Sequence, residues 1–238
     1  MNIFNEELTS IWNFEERGNW LTHKGDYPGN CSPKVIRNLL LKYSKVNDIV
    51  LDQFIGSGTT AIEALLLNRK VIGIDINQNA LNICNSRIKE LKGERAIKLG
   101  DAEELMVTNN SIDFICTHPP YLDIIKYSEN IKNDLSLLNR EQFYVALEKV
   151  AKECYRVLKN QSKCAIIIGD VRKNGFIEPL GFNVMTKFLK CGFKLKEIII
   201  KEQHNCKSTS KWIEIAKKRN FLLIKHEYIF VFEKNYFK

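Results

Sequence analysis

No two of the seven cysteines stand three residues apart, so the chain has no CxxC pair to build a zinc ribbon or a redox dithiol. Their spacing suits no secreted disulfide framework either, and Cys84, Cys116 and Cys164 sit in apolar contexts where a buried free thiol is expected. No apolar run approaches 18 residues, which excludes a membrane-spanning helix. The opening MNIFNEELTS lacks the basic-then-apolar pattern of a signal peptide. Repeats, linkers and low-complexity runs are absent, and no spacing suggests a metal site. These absences describe a cytoplasmic protein with one domain spanning 1–238, long enough at 45% hydrophobic residues to bury a full core. What is present in excess is positive charge, +8 overall, which suits a polyanionic partner such as nucleic acid.

The first dense signal is NDIVLDQFIGSGTTAIEALLLNRKVIGIDIN. Ile49 to Ile55 reads as a strand and Gly56-Ser57-Gly58 as a tight turn. Thr59 or Thr60 opens a helix that turns Ile62, Ala64, Leu65 and Leu66 to the core, and Lys70 to Ile76 is a second strand carrying Asp75. This is a βαβ unit with an acid about 20 positions beyond the first glycine, the arrangement a ribose-binding site needs. The glycines let backbone approach a ligand, and the helix start offers unpaired N–H groups. Gly56, Gly58 and Ala61 formally satisfy the dinucleotide pattern. Asp52, however, would repel a pyrophosphate, whereas it pairs with a cationic amino-acid ligand, and this favours S-adenosylmethionine over a nicotinamide cofactor.

The second is CTHPPYLDIIKYSE. Ser111 to Cys116 reads as a short buried strand, and Pro119-Pro120 cannot continue a sheet because each fixes φ and removes a donor. The result is a stiff turn at a strand's carboxyl end, with carbonyls open to accept hydrogen bonds and the ring of Tyr121 directly after. A planar base with an exocyclic amine needs both.

Around these units, residues 1–32 form an N-terminal arm lying over the site, anchored by Trp20, His23 and Tyr27. Ser32 caps a helix that Pro33 opens and that runs to about Tyr43. Helices are expected near Asn79–Lys92, Arg140–Lys159 and Phe182–Lys190, and strands at Ala96–Leu99 and Lys163–Gly169. Asp101 ends the third strand, either as an adenine-amine acceptor or as a turn residue. Phe193–Lys201 and Phe221–Glu233 form an antiparallel pair at the sheet edge. Between them, HNCKSTSKWIEIAKKRN is either a solvated connection or a phosphate contact through Lys207, Lys211, Lys217, Lys218 and Arg219. The polar stretch after Tyr121 offers Lys126 and Tyr127 to a nucleic-acid target.

Together the residues Asp52, Phe54, Gly56, Ser57, Gly58, Thr59, Thr60, Glu63, Ala64, Gly73 and Asp75, with the PPY turn and the closing HEYIFVFEK, resemble the amino-methyltransferases of DNA that modify N6 of adenine or N4 of cytosine. The resemblance runs from about residue 20 to the end. It implies an α/β, three-layer Rossmann-like methyltransferase fold: a mostly parallel seven-stranded sheet with a C-terminal antiparallel hairpin. It also implies S-adenosyl-L-methionine as cofactor, held by Tyr27, Asp52, Phe54, Gly56, Ser57, Gly58, Thr59, Thr60, Asp75, Ile76, Asp101 and Ala102.

The implied catalytic residues are His118, Pro119, Pro120 and Tyr121. The side chain at 118 and the Pro119 carbonyl would accept from the target amine, and Tyr121 would stack on a flipped base. The chain departs from the family at His118, where Asp, Asn or Ser is usual, which leaves the target base open. It also has no separate target-recognition domain, so base readout falls to 122–138 and 204–220, to a partner subunit or to a homodimer. DNA in a restriction-modification setting is the implied partner. A methyltransferase for a tRNA guanine N2 amine and a non-catalytic nucleic-acid-binding subunit are the alternatives.

Overall fold

The computed structural model describes residue 4 and residues 6–204 and 209–235. In chain order the elements are β1 (Ile11–Trp12), α1 (Pro33–Tyr43), β2 (Ile49–Asp52), α2 (Thr59–Leu66), β3 (Lys70–Asp75), α3 (Gln78–Ile88), β4 (Arg95–Leu99) and β5 (Ile112–Thr117). There follow α4 (Arg140–Val157), β6 (Leu158–Ile168), a small hairpin of β7 (Val171–Lys173) and β8 (Phe176–Glu178), α5 (Leu180–Lys190), β9 (Phe193–Glu202), α6 (Thr209–Arg219) and β10 (His226–Lys234). One sheet runs β1-β9-β10-β6-β5-β2-β3-β4. Within it β10 is antiparallel to both β6 and β9, while the other pairings are parallel.

The strands alternate sides with period two, which divides the core into two layers. Cys164, Ile166 and Ile168 of β6 and Phe230 and Phe232 of β10 pack under α4 and α5, against Phe143, Leu147, Val150, Val184 and Phe188. Ala165, Ile167, Ile229 and Val231 point the other way, to α1, α2 and α3 through Ile36, Leu40, Ile62, Leu65 and Ile88. The stripe read in the sequence on 140–159 is the buried face of α4 as far as Cys154, but Leu158 already belongs to β6. An Asn139–Gln142 capping box fixes where α4 starts.

Several features differ from the sequence reading. The closing strands form the expected antiparallel pair, with β10 next to β6, but the outer side of β9 is itself paired by the two residues of β1, giving eight strands instead of seven. Residues 221–225 are outside β10, and the basic stretch between β9 and β10 holds a helix, α6. Ser32 does sit at the start of α1, but its hydroxyl donates to the Arg17 carbonyl (2.8 Å) and caps nothing. Among the described residues no helix is long and apolar enough to cross a membrane.

The arm is fastened to α2 through one carboxylate. Glu63 is fully buried; its Oε1 accepts from Trp20 Nε1 (2.9 Å) and meets His23 Nε2 (2.7 Å), and its Oε2 accepts from Arg37 (2.8 Å). Replacing Glu63 by alanine leaves those donors without their acceptor. The expected loss is about 3 kcal/mol, read from the urea midpoint, with Glu63→Gln recovering part of it. An unchanged midpoint would mean that Glu63 does not hold the arm.

Candidate active site

The carboxyl ends of β2, β3 and β5 open onto one cleft, whose wall includes Asp52, Phe54, Gly56, Ser57, Thr59, Thr60, Asp75 and Ile76 from the βαβ unit, then Asp101 and Ala102. His118 and Pro120 come from the turn after β5, and Tyr27 reaches in from the arm. Most of the residues singled out from the sequence are thus brought together. Gly58 stands behind the wall: at φ 91° it starts α2, and a Cβ there would meet Cys84 Sγ at 2.7 Å, so only glycine fits. Pro119 and Tyr121 also lie just outside the wall.

The floor is acidic and dry. Asp52 is buried, and its Oδ1 accepts from the Phe54 amide (3.0 Å) and the Thr117 hydroxyl (2.9 Å). Burial pushes this carboxyl up to about 6, against the hydrogen bonds from Thr60, Phe54 and Thr117 that hold it down. Asp75 accepts from the amides of Gly56 (2.8 Å) and Asn77 (2.9 Å), and burial raises it too. Asp101 holds its own turn through the Glu103 amide (2.8 Å), one of the two readings weighed for it, and it also lines the cleft. With Asp134 that makes, among the described residues, four aspartates on the wall and no lysine or arginine. An acceptor set of this kind fits the ammonium and ribose of S-adenosylmethionine and opposes a phosphorylated nucleotide. Among the described residues no three His, Cys, Asp or Glu side chains converge as metal ligands.

Two segments close over the cleft. Tyr27 stacks with Tyr127 (centroids 6.1 Å, planes 22° apart), and Asn77 Nδ2 donates to the Tyr127 carbonyl (2.7 Å). Gly29 lies so close that a Cβ would fall 2.0 Å from the Tyr127 hydroxyl oxygen. Tyr127, read from the sequence as a nucleic-acid contact, is on the wall of the same cleft as the βαβ residues. So are Asn133, Asp134 and Leu135, although 122–138 had been read as a target-facing stretch. The loop is drawn inward because Asp134 Oδ1 accepts from the Ser136 amide (2.8 Å) and hydroxyl (2.7 Å), forming a compact turn. Lys126, Lys211, Lys217, Lys218 and Arg219 are exposed, as a phosphate contact requires; Lys207 lies outside the described residues.

The turn after β5 carries an ordered polar chain. His118 Nε2 meets the Tyr121 hydroxyl at 2.7 Å, that hydroxyl donates to Glu227 Oε1 at 2.7 Å, and Glu227 Oε2 accepts from Lys201 at 2.9 Å. Gly169 makes room: a Cβ there would meet Tyr121 Cε2 at 2.9 Å. Burial alone would raise the Glu227 carboxyl, but the Lys201 charge and the hydrogen bonds from Lys201 and Tyr121 oppose it, and the group is held down at about 2. Withdrawal from water lowers His118, with Glu227 pulling the other way, so the imidazole stays neutral near neutral pH. Burial pushes the Cys31 thiol on the cleft wall up to about 12, which leaves it inert as a nucleophile. Sequence reasoning missed Glu227, Asn30, Gln53 and Asn133 as site residues. Only Glu227 carried a local signal, as the one acid opening the closing strand.

A model described as "DNA methylase" matches residues 1–86 and 112–238, and one described as "Methyltransferase domain" matches 50–132. A type II methyltransferase of Lactococcus lactis subsp. cremoris is 32% identical over 92 residues, 38% of this chain and 34% of that protein. A tRNA (guanine(10)-N2)-dimethyltransferase of Methanothermobacter thermautotrophicus is 35% identical over 101 residues, 40% of this chain and 29% of that protein. The matches thus span about a third of the length of these curated relatives. Among solved structures, an S-adenosylmethionine-dependent methyltransferase of Methanosarcina mazei superposes with a TM-score of 0.58 at 16% identity, covering 83% of this chain and 97% of that one. A phosphoethanolamine N-methyltransferase of Haemonchus contortus in complex with S-adenosyl-L-methionine gives 0.52 at 17%, covering 85% and 52%. The likeness to these structures is one of fold, while the family match covers most of the sequence, the βαβ unit and the HPPY turn included: the chain belongs to the DNA methylase family.

Proposed function

We propose that the chain transfers a methyl group from S-adenosylmethionine to an exocyclic amine in DNA, N6 of adenine or N4 of cytosine. The observation that carries this reading is the HPPY turn opening onto a cleft walled by four aspartates and no cation. The cofactor supplies an electrophilic methyl on a sulfonium. In this reading Asp52 receives its ammonium group, Asp75 its ribose and Asp101 its adenine amine, with the Gly56 turn giving the close backbone approach.

On the substrate side, neutral His118 accepts a hydrogen bond from the target amine and the Pro119 carbonyl accepts a second. Both draw the nitrogen lone pair out of conjugation with the ring. After transfer the nitrogen holds one proton too many, and the imidazole is the base at hand to take it. Tyr121 presents its ring to the extruded base. The exposed cations of α6 engage phosphate: β9 runs parallel to β2, β3 and β5, so α6 leaves the sheet at the edge that bears the cleft. The similarity to the tRNA guanine enzyme favours a second reading, an RNA amine, on the same chemistry.

Incubation with labelled cofactor and unmethylated DNA or total RNA, followed by digestion to nucleosides, decides between them. N6-methyladenine or N4-methylcytosine supports the proposal and names the base. Label confined to RNA replaces it with the second reading, and no label in either with cofactor bound leaves a binding subunit.

Asp52 sets the pH dependence of cofactor binding. Protonated below about 6, it no longer pairs with an ammonium group, so affinity measured by calorimetry should fall as pH drops through that value, with a proton released on binding nearby. Asp52→Asn should flatten the curve at low affinity. The sign for the ligand-free fold is opposite. Its folded value stands above the ordinary carboxylate value near 3.9, so this group favours folding below that point, and the contribution is lost as pH rises through about 6.

Replacing Lys211, Lys217, Lys218 and Arg219 together by alanine should weaken duplex binding and flatten its dependence on log salt by about 0.9 per phosphate contact removed. Cofactor affinity should not change. An unaltered salt slope would take α6 out of the nucleic-acid surface.

A further inference from the structure

We infer that Glu227 and the Tyr121 hydroxyl lock His118 in one tautomer, with its proton on Nε2 and Nδ1 left as the acceptor. The assignment follows from counting protons along the chain of hydrogen bonds. Glu227 is ion-paired with Lys201 at 2.9 Å and has no proton to give. The Tyr121 hydroxyl has one, and it is donated to Glu227 Oε1 at 2.7 Å. Its oxygen is then left only as an acceptor, so the ring nitrogen 2.7 Å away, His118 Nε2, must carry N–H. A neutral imidazole holds a single ring proton, and Nδ1, which has no partner among the described residues, keeps its lone pair.

For a residue that replaces a carboxylate or amide as acceptor, this lock removes the failure that histidine otherwise risks. In the opposite tautomer Nδ1–H would face an amine with a donor, two donors would oppose each other, and the target nitrogen would gain nothing. The sequence distance explains why no local motif reveals the device: Glu227 opens β10, 106 residues beyond Tyr121, and reaches it only because β10 lies beside β6 at the cleft end of the sheet. The other ionisable groups around the trio are Lys201 on β9, Cys31 on the arm and Tyr127 on the loop. Burial keeps the last two protonated, so neither supplies a competing acceptor charge. Glu227 and the Tyr121 hydroxyl are thus positioning groups for His118. The ring of Tyr121 keeps its separate role.

The catalytic consequence rests on the methyl-transfer reading, whereas the tautomer itself does not, and the test separates the two. The full chain labelled with 15N-histidine is examined by NMR near neutral pH with cofactor present, His118 being assigned by comparison with His118→Asn. The wild type should show a single Nε2–H tautomer. Tyr121→Phe, which keeps the ring and removes only the hydroxyl, should show a mixture. Its single-turnover methylation rate should fall about tenfold or more, with cofactor affinity unchanged. Glu227→Gln should move the acid limb of the pH–rate profile to lower pH, because the carboxylate that favours imidazolium is gone. A merely structural role would lower the profile without moving it. An Nδ1–H tautomer in the wild type, or an unchanged tautomer in Tyr121→Phe, would overturn the inference. A wild type with the Nε2–H tautomer that methylates neither DNA nor RNA would support the inference and overturn the methyl-transfer reading instead.

Discussion

The backbone ladder that seats β10 between β6 and β9 is the constraint on which the site depends. Nine residues of one strand pair with β9, across a register shift between Val231 and Phe232, and six with β6, running against both. Because β10 is reversed, β9 must run with the parallel strands, and β1, parallel to β9, follows suit. Three things then meet at the same edge of the sheet. The start of β10 delivers Glu227 to the turn after β5, the end of β9 releases the basic α6, and the end of β1 sends the arm toward the cleft.

Two buried carboxylates show how the same residue type serves different ends. Glu63 has Trp20, His23 and Arg37 on its two oxygens and acts as a fastener. Glu227 has one cation and one phenol, and that phenol passes its influence on to a ring at the cleft wall. What distinguishes them is whether a hydrogen-bond chain leads from the acid to a side chain that lines the cleft.

Much of this was legible in the sequence where the signal is local. The βαβ unit announced itself because apolar periodicity changes from two to 3.6 across a glycine turn, and HPPY because two prolines permit little else. The acids at 52, 75 and 101 were visible as strand-end residues. The rest depends on contacts between distant segments. Nothing near Tyr127 says that its ring faces Tyr27, since that follows from the Ser136–Asp134 turn and from Asn77. The amino end of β6 is polar (Lys159, Asn160, Gln161), so the strand looked shorter than its pairing with β5 makes it. Leu222 and Leu223 read as strand, yet 221–225 end in a tether to β9, with Gln203 N bonded to the Lys225 carbonyl.

The cation-free wall of the cleft has a consequence for competition. Adenine nucleotides with phosphates share the adenosine half of S-adenosylmethionine and crowd any cell's small-molecule pool. With unit charges about 5 Å apart at an effective dielectric constant near 20, each uncompensated phosphate–aspartate encounter costs roughly 3 kcal/mol, about a hundredfold in occupancy. Selectivity of this kind needs no steric gate: among the described residues the wall offers a phosphate no lysine or arginine to pair with.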